Sequence, residues 1–502
     1  MKPKAIPSLL VIGVTLLALP VAGADRRQIG APILTLGVGR DFYNGPAGQM
    51  LLHGSTNTWE ALTFIDDVMK VRPWLAESWH TPDQGRTWVF RLRPGVRFHD
   101  GSPLTSRDAA ACLKVIAANP RYDPAGNFQR LKNVTASGRE EVVFNLERPC
   151  PYFPNLVAYY GSPIVKPDGF DAKGRLLNLI GTGPYQVERI RPGETVELAS
   201  FSGYWAGEPA YRKAVFKNIL DAQTRVMALI AGEISAVADI GGILPEQADD
   251  LKAAPGVILK KQELHSTHQL IFNCRRPPFS SRQARLWLAG LVDREGLVRA
   301  LVQEGGVVAG NPYCRLSSEW NFPFVQPKPG PRPDLDRPAG LRLVILLHGG
   351  FQQRLPYLAL AQFIQALLAK NGWPAEIKVL EAGAYRQARQ RGAYHLGIAP
   401  AGFLTADPDY FYSSFVSAGS PFGPGLTDDQ MEGLIEAARY EMNPELRRDL
   451  YRRLAQLFNY HLPMLPLYHE VSLYAHRDSV AGLRLDAFFR PWLNETQPKV
   501  KP

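Results

Sequence analysis

The chain has 502 residues, of which 45% are hydrophobic, and carries a formal net charge of +10. That length and apolar content point to a globular protein with two or three domain-sized cores. The basic balance would suit nucleic acid, an anionic membrane surface or an anionic small molecule; the charges are scattered and no helix-turn-helix, zinc-finger or aromatic-basic motif occurs, so no nucleic-acid partner is expected.

At the amino end, Lys2 and Lys4 precede an uncharged apolar run from Leu9 to Leu19, and Ala22-Gly23-Ala24 forms the small-x-small cleavage site of a secretory signal peptide. Residues 1–24 are expected to leave, and the mature chain to begin near Asp25. Pro20 and the small residues after it argue against a membrane anchor, and no later stretch has the about 18 consecutive apolar residues a bilayer crossing needs. An exported, soluble, periplasmic protein is expected.

Ile33 to Val38 reads as a first strand. Trp88, Phe90 and Leu92 alternate with Val89, Arg91 and Arg93, the period of a half-buried strand. Pro94-Gly95 and Asp100-Gly101 then turn the chain. Thr105, three residues before Asp108, predicts a capped helix over 107–118. Glu141 to Leu146 is another period-two strand, and the prolines at 149, 151 and 154 stop it. Ala222 to Ala231 has helical spacing and ends at Gly232. Beyond a proline-rich linker at 327–333, Leu341 to Leu347 predicts a buried strand, Leu355 to Lys370 a helix closed by Asn371-Gly372, and Glu376 to Leu380 another strand: an α/β unit. Met431 to Tyr440 and Pro444 to Tyr460 read as two late helices.

Several of these pieces carry a recognisable order of residues. Leu75, Ala76, Ser78, Trp79, Gly85, Thr87, Trp88, Phe90, Leu92, Arg93, Gly95, Val96, Phe98, Asp100 and Gly101 follow the pattern of one family's signature segment. Further matches are Thr58 to Leu62, Gly181-Thr182-Gly183-Pro184-Tyr185, Tyr204-Trp205, Leu270 to Phe279 and His461 to Tyr468. On these residues the chain resembles the extracellular solute-binding proteins of ABC importers of the peptide and nickel class, family 5, from about Thr58 to Tyr468. The resemblance implies an α/β, periplasmic-binding-protein-like two-lobe fold with an extra lobe inserted in the first, three domains in all. Residues 25–55, 182–265 and 475–502 would form lobe I, 56–181 the inserted lobe II, and 266–474 lobe III. It implies a monomer that binds a peptide-like or related small solute in the inter-lobe cleft and delivers it to an ABC permease in the inner membrane, with no enzymatic step and no cofactor.

The resemblance also names cleft positions. Peptide-binding relatives carry an aspartate four residues before a proline to pair with the ligand's ammonium; here the proline is Pro408 and the position is Leu404, which cannot balance a charge. Asp407 and Asp409 either substitute for it or merely begin a turn. Relatives that bind nickel chelates carry an arginine near Ser162 or Pro163, a histidine at Ser420, and aromatics at Gly402 and Ala406, so a chelate ligand is disfavoured and stands as the alternative. Arg490, in Phe488-Phe489-Arg490-Pro491-Trp492, falls at a late cleft contact and would suit a carboxylate or phosphate, or else is a solvated surface residue. Arg40, Phe42 and Tyr43 follow the first strand, where ligands approach. Phe403, Tyr410, Tyr159 and Tyr160 either line the cleft or fill core.

Two other chemistries find only incomplete signatures. Leu346-Leu347-His348-Gly349-Gly350 imitates the oxyanion strand end of α/β-hydrolases, but no G-x-S-x-G elbow exists to complete it. The ten histidines form no HExxH or His-Cys cluster, so no dedicated metal site is expected. Cys112, Cys150, Cys274 and Cys314 allow three pairings; one bridge, Cys274 with Cys314, is the first choice in an oxidising compartment, and four buried thiols are the alternative.

Overall fold

The structure is a computed structural model, described here for residues 32–42, 56–119, 122–123, 128–158, 162–330, 340–352 and 354–499. Its helices and strands follow the local patterns closely. The strand Thr87–Leu92 turns Trp88, Phe90 and Leu92 inward, each apolar side chain contributing roughly 1.5–3 kcal/mol by leaving water. It pairs in a four-stranded antiparallel sheet with Ala76–His80, Glu141–Leu146 and Leu131–Ser137. The helix Ser106–Ala118 covers that sheet. Thr105 and Asp108 close the predicted reciprocal cap at its start, satisfying two backbone donors the first turn leaves unpaired. This sheet and helix carry a core of their own drawn from residues 59–176, the region expected as lobe II and so labelled below.

The two connections to lobe II pass each other at Asn57-Thr58 and Gly181-Thr182-Gly183, where the Gly183 and Tyr185 amides donate to the Thr58 and Asn57 carbonyls. A Cβ on Gly181 would come within 1.9 Å of the Thr58 carbonyl oxygen, so only glycine lets the backbones approach this closely.

The segments expected as lobes I and III, so labelled below, share one sheet, eleven-stranded among the described residues. On the lobe III side lie Ala375–Leu380, Leu343–His348 and Leu396–Gly402, mutually parallel. On the lobe I side Ile33–Val38 runs parallel to Lys213–Asn218 and Ala236–Val237, and Thr195–Ser200 with Tyr185–Arg191 completes the edge. Two long strands, Val257–Phe272 and Met464–Arg477, join the halves and pair with each other along their length. Their register slips between Glu263 and Thr267 and again between His268 and Gln269. Such bulges bend and twist a strand locally, here where it leaves one lobe for the other. The helix Tyr357–Lys370 lies on Leu343–His348 and Ala375–Leu380, and the helices Asp429–Tyr440 and Pro444–His461 pack together beside it in the lobe III core.

The expected disulfide is absent: all four cysteines stand as free thiols. Cys314 is fully buried in the lobe III core, its amide held by the Asn311 side chain. Cys274 follows the strand end, with its amide on the Pro424 carbonyl. Burial pushes the Cys112, Cys150 and Cys314 thiols up to about 12 and Cys274 to about 11, so they behave as small apolar side chains. No helix among the described residues is long and apolar enough to cross a membrane.

Candidate functional site

The lobes meet around the slipped register of the two long strands. His265 stacks on Phe488 of the carboxyl-terminal segment, ring centroids 4.8 Å apart, and its backbone amide donates to the Ala487 carbonyl at 3.2 Å. The Phe403 amide donates to the His265 carbonyl at 3.0 Å, and Gly402 lies so near that an added Cβ would stand 3.3 Å from the imidazole. Burial pulls the His265 imidazole down to about 4, so it is neutral at physiological pH. Next along the strand, the neighbouring rings of His268 and Tyr468 stack at 4.2 Å, with the Tyr357 hydroxyl 2.6 Å from His268 Nδ1 and Glu470 3.3 Å from Nε2. Burial works to raise the Glu470 carboxyl; the His268 contact and the surrounding positive charge outweigh it and hold the acid below its usual range.

On the lobe I face, Asp239 is 2% exposed and accepts from the Gly39 amide at 3.1 Å. It also pairs with Arg40 at 2.8 Å, while the Arg40 side chain remains 33% exposed. Facing it from lobe III, Arg354 packs against Gly241, where an added Cβ would meet the Arg354 Cβ at 2.9 Å. Arg40 is thus a half-exposed cation held by the buried Asp239.

Other expected cleft residues are structural. Asp407 caps the short helix Pro408–Phe411 by accepting from the Asp409 amide. Both of its oxygens also take Arg447, at 2.7 Å and 2.7 Å. Only 3% exposed, it has no face left for a solute. Asp409 accepts from the Tyr152 hydroxyl at 2.5 Å, from Arg439 Nε at 3.0 Å and from Ser413 at 3.0 Å. Because Tyr152 belongs to lobe II, Asp409 ties lobe II to lobe III. Phe403 is 0% exposed and stacks on Tyr313 in the core. Arg490, 3% exposed, pairs with Asp486 at 3.0 Å and lies over the Trp74 and Trp492 rings at 4.4 and 4.1 Å. It is neither a cleft contact nor a solvated surface residue. Tyr43, Tyr159 and Tyr160 lie outside the described residues. Tyr410 is half-buried against Phe415 and borders two adjoining hollows between lobes II and III.

The larger of these hollows, about 680 Å³, sits at the carboxyl ends of Leu343–His348 and Leu396–Gly402, the edge at which open α/β sheets take ligands. One wall is the helix Ala382–Gln390, which pattern reading missed: its Ala, Gln and Arg residues give only Tyr385 and Arg389 as buried positions. His348 borders the same hollow, and its Nδ1 accepts from the Gly350 amide at 3.0 Å. No serine hydroxyl is hydrogen-bonded to His348 among the described residues; its ring nitrogen takes the Gly350 amide and its carbonyl the Gln352 side chain. No group of three or more histidine, cysteine or acidic residues is placed to hold a metal ion among the described residues.

Comparison with known proteins agrees with this architecture. The family described as "Bacterial extracellular solute-binding proteins, family 5 Middle" matches residues 70–422. The dipeptide-binding protein of Escherichia coli (strain K12) is 25% identical over 533 aligned positions, covering 95% of this chain and 96% of that protein. NikA from Brucella suis, solved in complex with Fe(III)-EDTA, superimposes with a TM-score of 0.82 at 21% identity, covering 93% of this chain and all of that one. A dipeptide-binding protein from Pseudoalteromonas sp. SM9913, in complex with Met-Leu, gives a TM-score of 0.76 at 19% identity over 93% of this chain and 100% of that one. The matched segment contains the Trp88 hairpin, the glycine crossing at Gly181 and the first of the two lobe-joining strands, and with them the chain belongs to family 5 of the bacterial extracellular solute-binding proteins.

Proposed function

We propose that this protein is the periplasmic binding component of an ABC importer. It is exported by residues 1–24, works as a monomer, captures a small peptide-like solute between lobes I and III, and hands it unchanged to an inner-membrane permease. Beside family membership, one observation carries the reading: the only long strands running from lobe to lobe among the described residues slip register where they cross, which gives the lobes a hinge made of backbone. A solute closes such a hinge only by binding the closed form better than the open one. Peptides are the first candidates because relatives named for dipeptides and for di- and tripeptides align over most of this chain. Leu404, together with the internal pairing of Asp407 and Asp409, favours solutes whose capture does not depend on a carboxylate for an ammonium in that segment.

Calorimetry of the mature chain with pooled di- to pentapeptides, coupled to small-angle scattering, tests this. Binding heat with a fall in the radius of gyration is expected. A chain that gives neither with any pool overturns the proposal.

A further inference from the structure

The hollow behind the helix Ala382–Gln390 has an uncommon charge balance. Its volume, about 680 Å³, lies within the roughly 300–1,000 Å³ of small-ligand sites. Two guanidinium groups, Arg386 and Arg389, line it together with His348, and no aspartate or glutamate does among the described residues. The acid of the adjoining groove, Asp409, is already taken by Arg439, Ser413 and Tyr152.

Arg389 is 5% exposed. Its guanidinium lies over the Tyr394 ring at 4.9 Å, and Nη2 donates to the Phe422 carbonyl. Its Nη1 is buried without any partner, and neither Arg389 nor Arg386 has an ion-pair partner among the described residues. A guanidinium removed from water without a counter-charge is costly, and such groups are normally paired. Two more polar side chains, His348 and Tyr385, line the same hollow. Because His348 Nδ1 accepts the Gly350 amide, the proton of the neutral ring sits on Nε2. The Tyr385 ring meets His348 edge-on at 5.0 Å and borders the same hollow. Such a set of donors, with no competing acid, complements an oxyanion. Nor is the hollow remote from the lobe junction: Ala401 lines it, and the next residue, Gly402, lies against His265 at the seam.

We propose that this hollow is an oxyanion subsite, in which Arg389 and Arg386, assisted by His348 and Tyr385, take a carboxylate or phosphate. The inference rests on the reading of the protein as a solute binder, and the anion is either an acidic group of the captured solute or a separate small anion bound beside it. The test is calorimetry of the mature chain with two pools of di- to tetrapeptides, identical except that every Glu of one is Gln in the other, and separately with inorganic phosphate and with glutarate. Tighter binding of the Glu pool, by about 10- to 100-fold, lost in Arg389→Met, assigns the anion to the solute. Binding of phosphate or glutarate that Arg389→Met abolishes, with no response to either pool, supports the subsite with a free anion and overturns the peptide reading instead.

Equal binding of both pools in the wild type, with no binding of phosphate or glutarate, overturns the subsite and leaves the peptide reading intact; equal binding of the pools with phosphate or glutarate binding that Arg389→Met abolishes assigns a separate anion beside the solute. Discrimination between the pools that survives in both Arg389→Met and Arg386→Gln also overturns it, and silence toward every probe overturns both readings. Arg386 is exposed, so Arg386→Gln keeps the test open should Arg389→Met not fold; a loss of at least severalfold for the anionic probe is then expected, and an unchanged affinity refutes the proposal.

Discussion

The pair Asp407–Arg447 separates a structural carboxylate from a ligand-binding one. Both residues are nearly excluded from solvent, at 3% and 5% exposure, and two hydrogen bonds of 2.7 Å join them. Arg447 also donates to the Ala438 carbonyl at 2.9 Å and faces the rings of Tyr152, Trp320 and Tyr451. Asp407→Asn leaves that guanidinium buried opposite a neutral amide, and breaking one side of a buried pair costs about 3–5 kcal/mol. For a unit the size of lobe III this lowers the melting temperature by about 6–20 °C, read by scanning calorimetry on the ligand-free protein. Below that transition the affinity for any solute bound by the wild type stays within about twofold, because both Asp407 oxygens face inward. Arg447→Met added to Asp407→Asn removes the stranded charge and restores part of the loss. A variant that melts with the wild type but no longer binds solute refutes the reasoning and makes Asp407 a ligand contact after all.

Further outcomes follow from other groups. Glu60 is wholly buried, and burial, set against hydrogen bonds from Trp205 and Tyr204, raises its carboxyl to about 7. A carboxyl raised in the folded state stabilises most below its unfolded value and loses that contribution as pH climbs through the folded one. The wild type should therefore weaken by about 3 kcal/mol relative to Glu60→Gln between pH 4.5 and pH 7, seen in denaturant titrations at both ends; a difference that does not change with pH refutes it. Tyr152→Phe removes the hydroxyl that joins lobe II to Asp409, at a cost of about 1.5–3 kcal/mol for a charged acceptor. Limited proteolysis should cut lobe II faster in that variant, and unchanged cleavage would deny the contact its role. With four free thiols, a reductant should leave the melting temperature unchanged, and a thiol reagent should react fully only after denaturation; a drop in melting temperature on reduction would reveal a bridge.

Local pattern carried the fold wherever one face of an element is dry. Glu141–Leu146 is bounded where its alternation stops, and the Thr105–Asp108 cap is written in four consecutive residues. The two lobe-joining strands were less legible. His265, Thr267, His268 and Gln269 interrupt any apolar period, yet 267–269 are fully buried, with Thr267 paired to His469, His268 to Tyr357 and Glu470, and the Gln269 amide nitrogen donating to the Pro312 carbonyl. Site residues fared worse for a related reason. Asp407 finds Arg447 forty positions away, on a helix where one more arginine looks like solvated surface, and nothing nearby in sequence announces the pairing. Arg490 was placed by likeness to relatives, but two tryptophans and Asp486 close around it. Arg389 gave no signal, since what marks it is the lack of an ion-pair partner among the described residues, which no local pattern announces.

Two hydrogen-bonded strands spanning the waist of the molecule resist sliding far more than they resist flexing, because a slide breaks every ladder bond and a flex only distorts a few near the slip at Glu263 and Thr267. Motion of one half against the other is thereby reduced to nearly a single swing. If the chain works as proposed, solutes of different shape would share one shut geometry, and a permease would meet the same outer contour whichever is bound.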